Sequence, residues 1–333
     1  MDMNKWVAEV IAADKKQALP VLSFPAIQKM GITVKELIND SEKQAQAMKL
    51  VAENTKAAAS VSFMDLSVEA EAFGSTIVVS DDEVPTVVGS IIDEDSEADD
   101  LAVPEVGDGR TGLYIEAIKN VVPLITDRPV FAGVIGPFSL AGRLMDVNEV
   151  MILCYEEPEL VHGVLEKTTE FITKYAQAFK EAGANGVVMA EPLAGLLPPA
   201  LLEEFSTPYV ARIVEAIQDD SFIVVYHNCG SSVVKAADAV VATGAKAFHF
   251  GNAINMEDIM PLIPADRIVM GNIDPAGQLR LGTPESIREK TLEVLGKCAQ
   301  YPNFVISTGC DVPPMSPWEN IDAFFAAVDE FYA

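Results

Sequence analysis

Short apolar runs alternate with longer stretches of helical period along this chain. Eight runs read as strands, at 20–24, 59–64, 130–135, 186–190, 222–227, 247–250, 267–271 and 303–307. They are rich in Val, Ile and Phe. Several are apolar on both faces, the pattern of strands buried within a parallel sheet. Helical patterns lie between most of them. The clearest spans 156–181, where Leu160, Val164, Leu165, Phe171, Ile172, Tyr175 and Phe179 form one stripe and Pro158 suits the first turn. AGANGVVM at 182–189 and TGAKAFHF at 243–250 each place a glycine where a helix ends and a strand begins at once.

Eight strands alternating with helices predict an α/β protein of the (β/α)8 barrel class, with an N-terminal helical extension. The competing doubly wound sheet lacks a GxGxxG after its first strand. Residues 75–128 break the alternation. STIVVSDDEVPTVVG at 75–89 reads as a hairpin, and IIDEDSEADD at 91–100 is an acidic run. That run is a solvated loop or a docking segment for a basic partner. The region is read as an insertion after the second strand, inside a single barrel domain spanning 1–333.

Composition narrows the function classes. Of 333 residues, 23 are Lys or Arg and 50 are Asp or Glu, a net charge of −27. No cationic surplus exists to displace counter-ions from nucleic acid or to hold an anionic membrane surface. No run of about 18 uncharged apolar residues suggests a membrane span. The opening MDMNKWVAEVIAADKKQ carries charges where an export signal needs an apolar core, so a cytoplasmic protein is expected. Four cysteines are too sparse for a disulfide scaffold, leaving free thiols for packing, metals or catalysis.

Barrel enzymes build their sites on the loops after the carboxyl ends of strands. Those positions hold Asp65, Glu191, His227-Asn228-Cys229, Asn252, Asn272-Ile273-Asp274 and Cys310. One imidazole and two thiols suit a borderline metal. Zinc with three protein ligands keeps a fourth position for substrate. The His-x-Cys pair turns both side chains inward if the strand breaks into a loop there, with Gly230 freeing the chain to turn away. Cys310 comes 81 residues after Cys229, so only the fold can close such a site. A buried polar histidine with two small buried cysteines is the plain alternative. Cys154 and Cys298 read as packing thiols, His162 as a surface or boundary residue, and His249 as a core residue. Asp65 is a candidate catalytic carboxylate or a structural acceptor. Glu191 is a candidate fourth ligand, a support for the ligands or a substrate contact. Arg143 either recognises an anionic substrate group or lies along its helix.

Several motifs carry a family resemblance: FMDLSVEAEAFG at 63–74, GVIGPFSLAGRLM at 133–145, GNIDP at 271–275, GTPESIR at 282–288 and STGCDVPPMSPWENI at 307–321. Over nearly its whole length the chain resembles the uroporphyrinogen decarboxylase superfamily, which implies a (β/α)8 barrel. It looks less like the decarboxylases than like the corrinoid-dependent methyltransferases. Decarboxylases carry an arginine-rich RQAGRY segment after strand one, whereas SFPAIQKMG at 23–31 has no arginine. They also have a histidine where Cys310 stands. Similarity to the methylcobamide:coenzyme M methyltransferases implies His227, Cys229 and Cys310 as zinc ligands. Asp65 matches an aspartate shared by both branches.

The resemblance thus implies a zinc-dependent methyltransferase. A zinc-held substrate thiolate would take the methyl group of a methyl-corrinoid, which leaves as Co(I). In the other direction, zinc would activate a methylated oxygen or nitrogen. The corrinoid would arrive on a partner protein, since the chain has no D-x-H-x-x-G cobalamin segment. Asp65 and Glu191 are expected to be catalytic, and Asn252, Asn272, Asp274 and Arg143 to bind the small-molecule donor or acceptor. Coenzyme M, tetrahydrofolate, a methylamine, methanol and an aryl methyl ether all stay open, as do the direction of transfer and the oligomeric state. The alternatives are a tetrapyrrole decarboxylase and a non-catalytic metal-binding barrel.

Overall fold

The computed structural model describes residues 1–93 and 98–333. Part of the acidic run, at 94–97, lies outside the described residues. Among the described residues nine strands are present: β1 (Ser60–Val61), β2 (Thr76–Val78), β3 (Thr86–Val88), β4 (Val130–Ile135), β5 (Gly186–Ala190), β6 (Ile223–Asn228), β7 (Ala247–Phe250), β8 (Ile268–Ile273) and β9 (Phe304–Thr308). Seven form one parallel, curled sheet in the order β1-β4-β5-β6-β7-β8-β9. β2 and β3 pair antiparallel as the hairpin expected after the second predicted strand. The architecture is that of the (β/α)8 barrel class.

The first predicted strand, 20–24, forms no ladder, and this corrects the sequence reading. The chain just before it still fills the gap between β9 and β1. The Leu19 amide donates to the Ile306 carbonyl at 3.0 Å, and the Ala58 amide donates to the Ala18 carbonyl at 2.8 Å. Pro20 has no N–H to continue a ladder. Side chains take over from there: the Val21 amide donates to Thr308 Oγ1 at 3.2 Å, and Ser23 Oγ donates to the Val61 carbonyl at 2.6 Å.

Successive strand residues face opposite sides of a sheet. Val188 and Ala190 of β5, Ile223 and Val225 of β6, Ala247 of β7 and Val305 of β9 share one buried cluster, the barrel interior. Met3 and Val7, on the helix Met3–Ala12, belong to the same cluster. The Trp6 ring meets Phe131 of β4 edge-on at 5.7 Å, and the Met3 amide donates to the Asp220 carbonyl just ahead of β6. The N-terminal helix therefore plugs the amino end of the barrel. Chemistry is left to the opposite mouth.

Pro158 opens the long helix Pro158–Glu181, and its predicted stripe is buried except for Leu160, which is part-buried. Each such side chain contributes about 1.5–3 kcal/mol when removed from water. Gly183 (φ 99°) and Gly244 (φ 78°) take the left-handed caps expected at the two helix-to-strand junctions. No helix among the described residues is long and apolar enough to cross a membrane.

Candidate functional site

Strand alternation puts 223, 225 and 227 of β6 on one face, so His227 points into the barrel at its carboxyl end. β6 ends at Asn228, and Cys229 opens the loop that follows. Parallel register sets His227 beside His249 of β7. Their rings lie 4.6 Å apart and Nδ1 meets Nδ1 at 2.7 Å. His249 Nε2 lies 2.6 Å from the Thr308 carbonyl and 3.0 Å from Ser307 Oγ.

This geometry dictates the protons. A carbonyl only accepts, so His249 carries its hydrogen on Nε2. Burial pushes the pKa of both imidazoles down, that of His227 to about 4, so both are neutral near pH 7. His249 Nδ1 is then an acceptor and His227 Nδ1–H the donor. The lone pair of His227 is left on Nε2, facing Cys310 Sγ at 3.6 Å.

A tetrahedral zinc with bonds of about 2.0–2.1 Å to nitrogen and about 2.3 Å to sulfur sets its N and S ligands about 3.5 Å apart. The His227–Cys310 separation fits that edge. Burial pushes the Cys310 thiol up to about 12, with the charges of Asp311 and then Cys229 acting in the same direction. A bound cation reverses that preference. Among the described residues, no three His, Cys, Asp or Glu side chains are already drawn together as a metal cage. The donor set suits a borderline metal, with the His227–Cys310 edge formed.

Gly230 is needed for a reason other than the one expected. Its backbone is ordinarily extended (φ −79°, ψ 140°), but a Cβ there would sit 2.1 Å from the Gly195 carbonyl oxygen. Close approach of two loops, not freedom to turn, selects glycine.

Glu191 is fully buried, and both carboxylate oxygens are occupied. Oε1 accepts from the Phe138 amide at 2.9 Å, while Oε2 accepts from the Ser139 amide at 2.9 Å and from Ser139 Oγ at 2.7 Å. It thus caps the positive end of the helix Pro137–Met145. Its own amide donates to the His227 carbonyl at 2.8 Å. Burial pushes its pKa up to about 7.

Asp65 is tied up on all sides. Arg110 Nη1 and the Tyr114 hydroxyl donate to Oδ2, and the Ser67 hydroxyl and amide donate to Oδ1. Arg110 Nε also donates to Glu71 at 2.6 Å. Asn272 Nδ2 donates to the Gly251 and Ile254 carbonyls at 2.9 and 2.6 Å, bracing the mouth. Asp274 Oδ1 accepts from the Ala276 and Gly277 amides, holding its own turn. Asn252 is exposed, and Arg143 lines a small cavity beside Glu191.

Sequence reading missed His249 as the partner of His227. It also missed Arg110 and Tyr114 around Asp65. A third omission is Asp311, part-buried, whose Oδ2 accepts from the Met64 amide at 3.2 Å while its buried Oδ1 has no partner among the described residues. Only Asp311 carried a local signal, its place next to Cys310. Cys154 and Cys298 are buried in helices as expected, and His162 packs on Phe205 with Nδ1 2.7 Å from the Tyr209 hydroxyl.

A barrel whose mouth gathers these groups meets its relatives in one family. The model of the uroporphyrinogen decarboxylase (URO-D) family matches residues 15–331, and the chain belongs to that family. It is 27% identical over 261 residues to the methylcobamide:CoM methyltransferase MtbA of Methanosarcina acetivorans, covering 77% of this chain and 75% of the relative. It is 28% identical over 284 residues to the uroporphyrinogen decarboxylase of Desulfotalea psychrophila, covering 82% and 80%. A solved methyltransferase structure from Methanosarcina mazei superposes over the whole of both chains with a TM-score of 0.86 at 24% identity, a likeness of fold.

Proposed function

We propose that this chain, acting as one barrel, is a zinc-dependent methyltransferase that moves a methyl group between a corrinoid carried by a separate protein and a thiol or other small acceptor or donor. The observation that carries this reading is the His227 Nε2–Cys310 Sγ edge of 3.6 Å at the mouth, with the free lone pair of His227 set by His249. Zinc bound there supplies Lewis acidity, which holds a substrate thiol as its thiolate or polarises a methylated heteroatom. His227, Cys229 and Cys310 would hold it. His249 orients His227, and Glu191 anchors the β5 loop to β6 through the His227 carbonyl. Similarity to the methylcobamide:CoM methyltransferase supports the corrinoid partner.

The decarboxylase reading has relatives of equal identity. It is weakened by Asp65, whose carboxylate is neutralised by Arg110 and so is not free for a tetrapyrrole. The 23–31 segment also has no arginine for the substrate's carboxylates. Zinc-loaded protein is expected to demethylate methylcobalamin in the presence of some member of a panel of thiols, followed by the cobalt absorbance change, and to release no carbon dioxide from uroporphyrinogen III. Silence across the panel in both directions, with and without a corrinoid protein, would leave a metal-binding barrel. Brisk decarboxylation would establish the other branch.

A further inference from the structure

At its carboxyl end β7 runs directly into Gly251 and Asn252. Cys229 packs on the first of these residues, and Gly309, which precedes Cys310, packs on the second. Neither Gly251 nor Gly309 has a left-handed backbone, so conformation does not demand glycine at either position. Crowding does. A Cβ on Gly251 would sit 2.3 Å from Cys229 Cβ and 2.6 Å from Cys229 Cα. A Cβ on Gly309 would sit 2.6 Å from the Asn252 amide nitrogen and 3.0 Å from Asn252 Cβ. These obstacles are the backbone and the atoms next to it, which cannot swing aside as the tip of a long side chain does. The pair Gly251-Asn252 is thus a spacer between the two candidate thiol ligands.

The spacer is itself held in place. The Gly251 amide donates to the Asn228 carbonyl at 3.1 Å, tying it to the residue before Cys229. The Gly251 carbonyl accepts from Asn272 Nδ2 at 2.9 Å, and the same nitrogen donates to the Ile254 carbonyl at 2.6 Å. The Gly309 amide donates to the Ile273 carbonyl at 2.7 Å, one residue beyond Asn272 in β8. The ends of β6, β7, β8 and β9 are therefore joined by hydrogen bonds into one row. The reach from Cys229 to Cys310 is set by that row and not by loops free to adjust.

We propose that Gly251 and Gly309, braced by Asn272, are positioning residues that set the separation of Cys229 and Cys310 to suit a zinc-sized ion. Zinc holds each sulfur at about 2.3 Å. Sites of similar ligand type discriminate among metals by their geometry. One methyl group added on either side of the spacer moves the two cysteine backbones apart. Cadmium, a larger thiophilic ion with longer bonds to sulfur, tolerates the wider gap better than zinc does. This inference rests on the zinc ligands of the proposed function and is independent of the corrinoid and of methyl transfer.

Competition titrations of the reduced full-length protein with zinc and with cadmium read both affinities and their ratio. Gly251→Ala and Gly309→Ala are each expected to lose zinc affinity by about tenfold or more, the scale seen when residues that orient ligands are altered. Their cadmium affinity should fall less, so the preference shifts toward cadmium. Asn272→Ala adds no atom and frees the Gly251 carbonyl, and it is expected to shift the preference in the same direction. Gly163→Ala is the control. A Cβ there is crowded too, 2.3 Å from Ala98 Cβ, but it lies on the outer helix Pro158–Glu181, and the ratio should stay that of the wild type. Equal losses for both metals in the glycine variants, or an equal shift in Gly163→Ala, would reduce the two glycines to general packing and overturn the proposal, while zinc binding by the wild type keeps the metal site standing. Wild-type protein that binds neither metal overturns both. If neither Gly251→Ala nor Gly309→Ala folds, Asn272→Ala decides alone, and an unchanged ratio there overturns the proposal.

Discussion

His227 and His249 share a hydrogen bond between their Nδ1 atoms, 2.7 Å apart on adjacent strands. Since the Thr308 carbonyl holds the proton of His249 on Nε2, the pair leaves His227 Nε2 unprotonated at the mouth. Partners of this kind fix a ligand's tautomer and ring orientation, and losing one typically costs 10–100-fold in metal affinity. His249→Phe keeps a ring and removes the acceptor. Competition with a chelator is expected to show zinc affinity down by about that factor. Unchanged affinity would show that something else orients His227.

Metal stoichiometry tests the ligands themselves. Wild-type protein purified with reductant is expected to hold about one zinc per chain. Cys229→Ser and Cys310→Ser should each bind far more weakly, and Cys154→Ser, altered in a buried helical position, should bind normally. Full occupancy in the Cys229→Ser/Cys310→Ser double variant would sink the assignment.

Arg110 is expected to matter for stability. Its side chain is 7% exposed and that of Asp65 0%. Arg110→Met leaves a buried, unpaired carboxylate, which costs about 3–5 kcal/mol. Adding Asp65→Leu removes that charge and is expected to recover part of the loss. Urea unfolding of the single and double variants measures both. A double variant less stable than the sum of the single losses would contradict the pairing.

Glu69 sets a pH dependence. It is buried, its Oε1 accepts from the Ile135 amide at 2.9 Å, and burial raises its pKa from 4.5 to about 7. Between those values the folded chain keeps a proton that the unfolded chain has lost. Stability therefore falls as pH rises through this window and levels off above it, by an amount on the order of a few kcal/mol. Glu69→Gln is expected to remove that contribution. The difference between the wild-type and variant stability curves, from pH 4 to 8 (roughly spanning the titration), isolates Glu69 from its neighbours. A difference that does not change with pH would refute the assignment.

Local pattern carried much of this protein. Seven of the eight apolar runs are strands of the sheet, because burial on both faces leaves its mark on consecutive residues. The close spacing of His227 and Cys229 sets both at the carboxyl end of one strand, a placement legible before any contact was known. Position 20 shows where pattern stops: an apolar run with a proline reads as a strand, but the ladder needs the amide that proline lacks. Tertiary structure decided the rest. His249 meets His227 across 22 residues, Arg110 meets Asp65 across 45, and Cys310 meets His227 across 83. Hydrophobic periodicity records which face is buried and is silent on which polar group stands opposite. That is set by the register of parallel strands and by the curl of the sheet, which bring distant strand ends to one mouth.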